Sequence, residues 1–197
     1  MSLPGFDVLR RFSGILALLI SLIHPAMEAW KDFRRAPSTE ATNRGASVQV
    51  RYDPVARELD FKFPVILTNY GNADDFLHSP SISLEYPGVG AVRPLPAAAM
   101  ELLDDEDQPV KLPYLLRNGA HRLDVAVRVL LDISNASAIR SAGRRRLEFQ
   151  FQAGGRSAPY RLDYCFEFAA PVVEALSEAS ALWSSPFRVS SCYGGLP

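Results

Sequence analysis

Arg140 and the run Arg144-Arg145-Arg146 gather four guanidinium groups just ahead of an alternating stretch that begins at Leu147. Each planar guanidinium can donate two parallel hydrogen bonds, so a turn carrying several of them suits a phosphate or an anionic lipid headgroup. The plainer reading is a charged, exposed hairpin end. Asn72 with Asp74 and Asp75, and the run Asp104-Asp-Glu-Asp107, offer hard oxygen ligands of the kind that calcium takes. Neither stretch has the alternating ligand spacing and obligatory glycine of a calcium loop, so both read as solvated connections and no metal is expected. His24, His78 and His121 are scattered with no ligand-type spacing among themselves or with the cysteines.

The two cysteines, Cys165 and Cys192, fall at outward positions of their strands, beside Arg161, Asp163 and Glu167 in one case and Arg188 and Ser190 in the other. Outward cysteines bridge only when their strands are neighbours and their Cα atoms are close. The reading favours two separate small strand residues and leaves the disulfide open. No nucleophile elbow, phosphate-cradling glycine loop or paired-histidine metal motif occurs. The chain is therefore read as non-catalytic, without a cofactor.

Composition narrows the partners. With 21 basic and 22 acidic residues in 197, the net charge is -1, and the isoelectric point is near 6.3. That removes the electrostatic footprint of a nucleic-acid-binding domain. The 48% hydrophobic and 22% charged content is that of an ordinary folded domain.

The elements that must position these residues begin with an uncharged run from Phe12 to Met27, apolar on nearly every side between Gly14 and Ile23. A helix apolar all round belongs in lipid or in a deep core. Sixteen residues rise about 24 Å against a hydrocarbon layer of about 30 Å. Trp30, Arg10, Arg11 and Lys31 extend the span by interfacial anchoring. Phe12, Ile15, Leu16, Leu18, Leu19, Ile20, Leu22, Ile23 and Trp30 are the expected anchor residues. A helix packed on the sandwich or on a partner and a cleaved signal peptide are the rivals, the latter weakened by the absence of a small-x-small cleavage site after His24. Basic residues flank the run on both sides, so the side of the membrane that carries the rest of the chain is left open.

Residues 1–35 are thus read as an anchor helix, 36–46 as a polar linker and 47–197 as the folded domain. Beyond the linker the hydrophobic period is two. Val48, Val50 and Tyr52 alternate with polar residues, as do Leu59 to Leu67, Ile82 to Tyr86, and Leu123 to Ile133. Leu147, Phe149 and Phe151 form another row, and Tyr160 to Phe168 its hairpin partner. Asp53-Pro-Val-Ala56 marks a hairpin, and Asn118-Gly119 reads as a two-residue turn joining Val110–Leu116 to His121–Ile133. Pro171 to Trp183 carries the one helical pattern of the domain, with Val172, Val173, Leu176, Ala179, Leu182 and Trp183 on one face. The expected fold is all-β, an immunoglobulin-like sandwich of seven to eight antiparallel strands with an N-terminal hydrophobic helix and a short helix near the C-terminus.

The strand Leu59 to Leu67, the turn Asn69-Tyr-Gly71 and the strand Ser81 to Tyr86 resemble the strand, Asn-x-Gly turn, strand of bacterial immunoglobulin-like sandwiches. Cell-adhesion-related domains and late-embryogenesis-abundant sandwich domains are similar in this respect. The resemblance spans about thirty residues and implies a binding or structural role by analogy. Two functions follow as expectations. One is a membrane-associated module that recruits a protein partner, a layout compatible with homo-oligomers. The other is a ligand-gated membrane effector that senses a small anion, similar in layout to the membrane-spanning β-barrel effectors of antiphage nucleotide signalling. Those carry two spans, and this chain shows one.

Overall fold

The structure, a computed structural model, describes residues 21, 23, 25–28, 30, 38–43, 45–86, 93–95, 99–131, 137, 140–153, 158–190 and 192. Its strands are β1 (Thr39–Thr42), β2 (Ser47–Asp53), β3 (Glu58–Asn69), β4 (Asp75–Glu85), β5 (Arg93–Pro94), β6 (Met100–Leu103), β7 (Tyr114–Leu116), β8 (Gly119–Leu130), β9 (Gly143–Gln152), β10 (Tyr160–Phe168) and β11 (Trp183–Arg188), with helix α1 (Ala170–Glu178) before the last. They form two antiparallel sheets. The larger has the order β11-β2-β3-β8-β6, with β1 also on β3; the smaller has the order β10-β9-β4-β5, with β7 also on β4. The fold is an all-β sandwich.

The two-residue period explains which rows meet in the middle. Leu59, Phe61, Phe63, Val65 and Leu67 of β3 and Leu123, Val125, Val127 and Val129 of β8 turn one buried row inward, and Leu147, Phe149 and Phe151 of β9 face them. Aromatic rings bridge the layers: Phe63 lies 4.3 Å from Tyr164 and 6.4 Å from Phe149, and Phe61 lies 6.0 Å from Phe166. Each such ring removed from water contributes on the order of 2–3 kcal/mol.

β1 and β2 share one edge of β3. Thr42 pairs with Ile66 and Gln49 with Lys62, so six residues on one side span three on the other. Pro64 occupies that gap, where its missing N–H costs no ladder bond. Thr39–Thr42 is thus a strand inside the stretch expected to be a structureless linker.

Other expectations are corrected. The segment around Asn118-Gly119 is a crossover between sheets and no hairpin, because β7 pairs with β4 while β8 pairs with β3 and β6. Gly119 does take a positive φ of 119°, so the turn chemistry was present without the expected partner. α1 ends at Glu178, and Trp183 opens β11 instead of closing the helix. Eleven strands are described where seven or eight were expected. The hairpins β2–β3 and β9–β10 form as expected.

Of the expected anchor residues, Phe12, Ile15, Leu16, Leu18, Leu19, Ile20 and Leu22 lie outside the described residues. Ile23 and Trp30 are helical and exposed. Among the described residues no helix is long and apolar enough to cross a membrane.

Candidate functional site

The arginine run lies within β9 and makes no turn, and the pleat sends its members to opposite faces. Arg145 shares the inward parity of Leu147 and is fully buried. Its Nη1 donates to the carbonyls of Gly143 (3.1 Å) and Arg144 (3.3 Å), its Nη2 to Ser141 (2.5 Å), and the guanidinium lies 4.8 Å from the Phe168 ring centroid. Burial pulls its pKa down to about 10, which leaves it cationic at neutral pH. Arg144 is exposed and donates to the carbonyl of Cys192 at 3.1 Å. Arg146 lies on the outer face among carboxylates, 3.0 Å from Asp163, 3.1 Å from Glu148 and 3.6 Å from Glu85. Arg140 is helical and half-buried, ahead of β9 in the chain. The four arginines therefore do not converge: each of the three in β9 has a structural partner of its own.

Arg161 also binds Glu148, and Gln150 donates to that carboxylate at 2.5 Å. The outer face of the smaller sheet is thus a closed ionic lattice around a nearly buried Glu148. Such a lattice leaves little free charge for a ligand.

Cys165 and Cys192 form a disulfide, with Cα atoms 5.2 Å apart, which corrects the expectation of separate cysteines. The outward parity of Cys165 was right. The missing piece was the neighbour: after β11 the chain leaves the larger sheet, and Ser190 donates its N–H to the Cys165 carbonyl at 2.7 Å along the free edge of β10. This strap covers Cys165.

The acidic stretches are absorbed locally. Asp104 Oδ1 accepts the N–H groups of Glu106 and Gln108, both at 2.9 Å, and so shapes a tight turn. Lys62 lies 2.5 Å from Asp107 and 3.3 Å from Asp124. Hydrogen bonding to Asp107 raises the Lys62 pKa. Asp75 is buried, accepts the Thr39 hydroxyl and receives the Phe76 N–H at 2.7 Å, while Asn72 and Asp74 are exposed. Among the described residues no three His, Cys, Asp or Glu side chains gather as a metal site.

A concave surface remains on the outer face of the larger sheet. It is an open groove of about 280 Å³ floored by Ala126 and flanked by Arg51, Asp60, Lys62, Glu101 and Arg128. Arg128 reaches Asp60 at 3.2 Å and Glu58 at 3.4 Å. Arg51 is exposed, with no ion-pair partner among the described residues. Arg51, Asp60, Lys62 and Arg128 appear in the sequence as the polar halves of three alternating stretches, and Glu101 comes from the four-residue β6. Their convergence depends on the order β2-β3-β8-β6, which alternation does not encode.

No protein-family model matches the chain, and no curated protein matches it. Among solved structures, a family 123 glycoside hydrolase from Clostridium perfringens is similar at 10% identity and a TM-score of 0.35, over 68% of this chain and 27% of that one. A putative ApaA protein from Bordetella pertussis is similar at 12% identity and a TM-score of 0.29, over 70% of this chain and 97% of that one. The GAE domain of yeast GGA1 is similar at 9% identity and a TM-score of 0.27, over 68% of this chain and all of that domain. This chain spans about a quarter of the hydrolase.

Proposed function

We propose that the protein is a non-catalytic binding module, an immunoglobulin-like sandwich held at a membrane by its N-terminal segment, which recruits a protein partner through the outer face of the larger sheet. The observation that carries this reading is the groove over Ala126. It is open, and the one hydroxyl among its lining residues, that of Ser184, accepts from the Gln49 amide at 2.5 Å, so it suits an extended protein surface better than an enclosed small molecule. Arg51 is its unpaired cation, of the residue type most often found as a binding anchor.

A photo-crosslinking amino acid replacing Ala126 in the full, membrane-embedded chain should give a discrete protein adduct. Arg51→Glu should lower the yield about tenfold, the 1.4 kcal/mol expected of one lost anchor contact. An absent adduct, or one indifferent to Arg51, would sink this reading. The alternative, a sensor of small anions, needed convergent arginines. Arg145 is buried and Arg146 is already held by three carboxylates, so its support is reduced to Arg140 and Arg144.

The sandwich is proposed to face the oxidising side of the membrane, because disulfides persist in such compartments and are rare in the reducing cytosol. Cells quenched in acid and alkylated without reductant should yield a chain with neither cysteine labelled. Full labelling of both would place the domain in a reducing compartment.

A further inference from the structure

We propose that the end of the sandwich where the N-terminal segment joins it rests on the lipid surface, with Tyr70 and Phe76 set among the headgroups. The inference deepens the membrane attachment argued above and depends on it. Ser38 is the first described residue of the domain, and it is bound on both sides: its N–H donates to Asn69 Oδ1 at 3.2 Å, and its carbonyl accepts the Tyr70 N–H at 2.8 Å. Next to it, the Thr39 hydroxyl donates to Asp75, the residue before Phe76. Two aromatic residues tied to this junction are exposed, Tyr70 at 65% and Phe76 at 48%, whereas Tyr160, whose hydroxyl donates to the Thr39 carbonyl, is half-buried. An exposed ring costs a water-facing protein and suits the interface of a bilayer, where an apolar body and a polar tip both find partners.

Chain length decides which end meets the lipid. From Trp30 to Ser38 the backbone can stretch at most about 28 Å. The opposite end of β3 lies roughly 37 Å further on, at the rise per residue of an antiparallel strand. Val55 and Leu130 are exposed at that far end, so exposed apolar residues alone do not choose between the two; the tether does.

The test uses the full chain reconstituted in phosphatidylcholine vesicles containing a minor phosphatidylserine fraction, with lipids brominated at a shallow acyl position. Tyr70→Trp and Phe76→Trp should each add fluorescence that the bromolipid quenches beyond the signal of the native tryptophans. Val55→Trp should add fluorescence that is not quenched. In the unsubstituted chain, amide exchange over residues 70–76 should slow on vesicles. If the chain stays in the vesicle pellet through an alkaline wash but Tyr70→Trp and Phe76→Trp resist quenching and exchange is unchanged, this orientation is wrong while the attachment stands. If the wash releases the chain, both fail together.

Discussion

Tyr164 donates its hydroxyl proton to the carbonyl of Pro64 at 2.9 Å, from the smaller sheet to the larger. The phenol is fully buried, and burial pushes its pKa well above the ordinary value near 10. Removing the hydroxyl leaves a buried carbonyl without its donor, so Tyr164→Phe should cost about 1–2 kcal/mol at pH 8. The pH dependence has a definite sign. Below about pH 10 the phenol is protonated in both the folded and unfolded chain, and its stabilising contribution is complete. As pH rises past that point the unfolded chain loses the proton first, and stability falls by up to about 1.4 kcal/mol per pH unit from this group. Urea unfolding at pH 8 and pH 11 should therefore show the gap between the native chain and Tyr164→Phe narrowing. An equal gap at both values would mean that Tyr164 is not buried as described. Asn69 illustrates the same economy of buried polar groups: its amide donates to the Ala73 and Leu116 carbonyls at 2.8 and 3.0 Å, and its Oδ1 accepts from Gly71 and Ser38. The Asn69-Tyr-Gly71 signature visible in the sequence is therefore a tie between β3, β7 and the start of β1.

At the level of elements, legibility followed the strength of the two-residue period. β2, β3, β8 and β10 keep their phase throughout and could be read directly, down to the side each residue faces, and β9 could be read from Leu147 onward. β4 could be read only in its second half. Its inward residues are Leu77 and then Ile82 and Leu84, which differ in parity, and the phase is restored by an irregularity between His78 and Ser81 where Ser79 takes a φ of 51°. A bulge breaks alternation, so the pattern looks like a loop although the strand continues. β1, β5, β6 and β7 are two to four residues long, too short for a period to be seen. β6 owes its place to a turn that folds back on it, with Val110 donating to the Leu102 carbonyl at 2.8 Å. That return also covers a sheet edge that would otherwise invite pairing. The candidate arginine site failed for a related reason. Three consecutive arginines look like one cluster along the sequence, but once the segment is a strand they must alternate between the core and the outer face. Parity, applied to Arg144-Arg145-Arg146, separates Arg145 from its neighbours on sequence alone.

For the whole molecule, the question is what keeps two sheets with free lateral edges together. The described aromatic contacts hold their faces. One side has a second device, since β11 ends in the larger sheet and its continuation pairs with β10 in the smaller one. The Asn43 amide reaches the Asp163 carbonyl at 2.6 Å on the same edge, and Val189 donates to the Ala46 carbonyl at 3.3 Å. The Cys165–Cys192 bridge fixes that closure covalently across a separation of 27 residues. In the chain-entropy account, a loop of that size removes about 3.5 kcal/mol worth of freedom from the unfolded chain. The Cys165→Ala, Cys192→Ala double variant should therefore unfold roughly 10 °C below the native chain, the shift that such a loss implies for a domain of this size. The native chain treated with a dithiol reductant should match it, while the double variant should be indifferent to reductant. Both should bury the same ionic lattice around Glu148, because the strap lies beyond it. A loss below about 1 kcal/mol would mean that the Ser190 and Arg144 hydrogen bonds already hold the strap without the bridge. Closure of the sandwich would then rest on its core and its edge hydrogen bonds, and the oxidised state would add little to its fold.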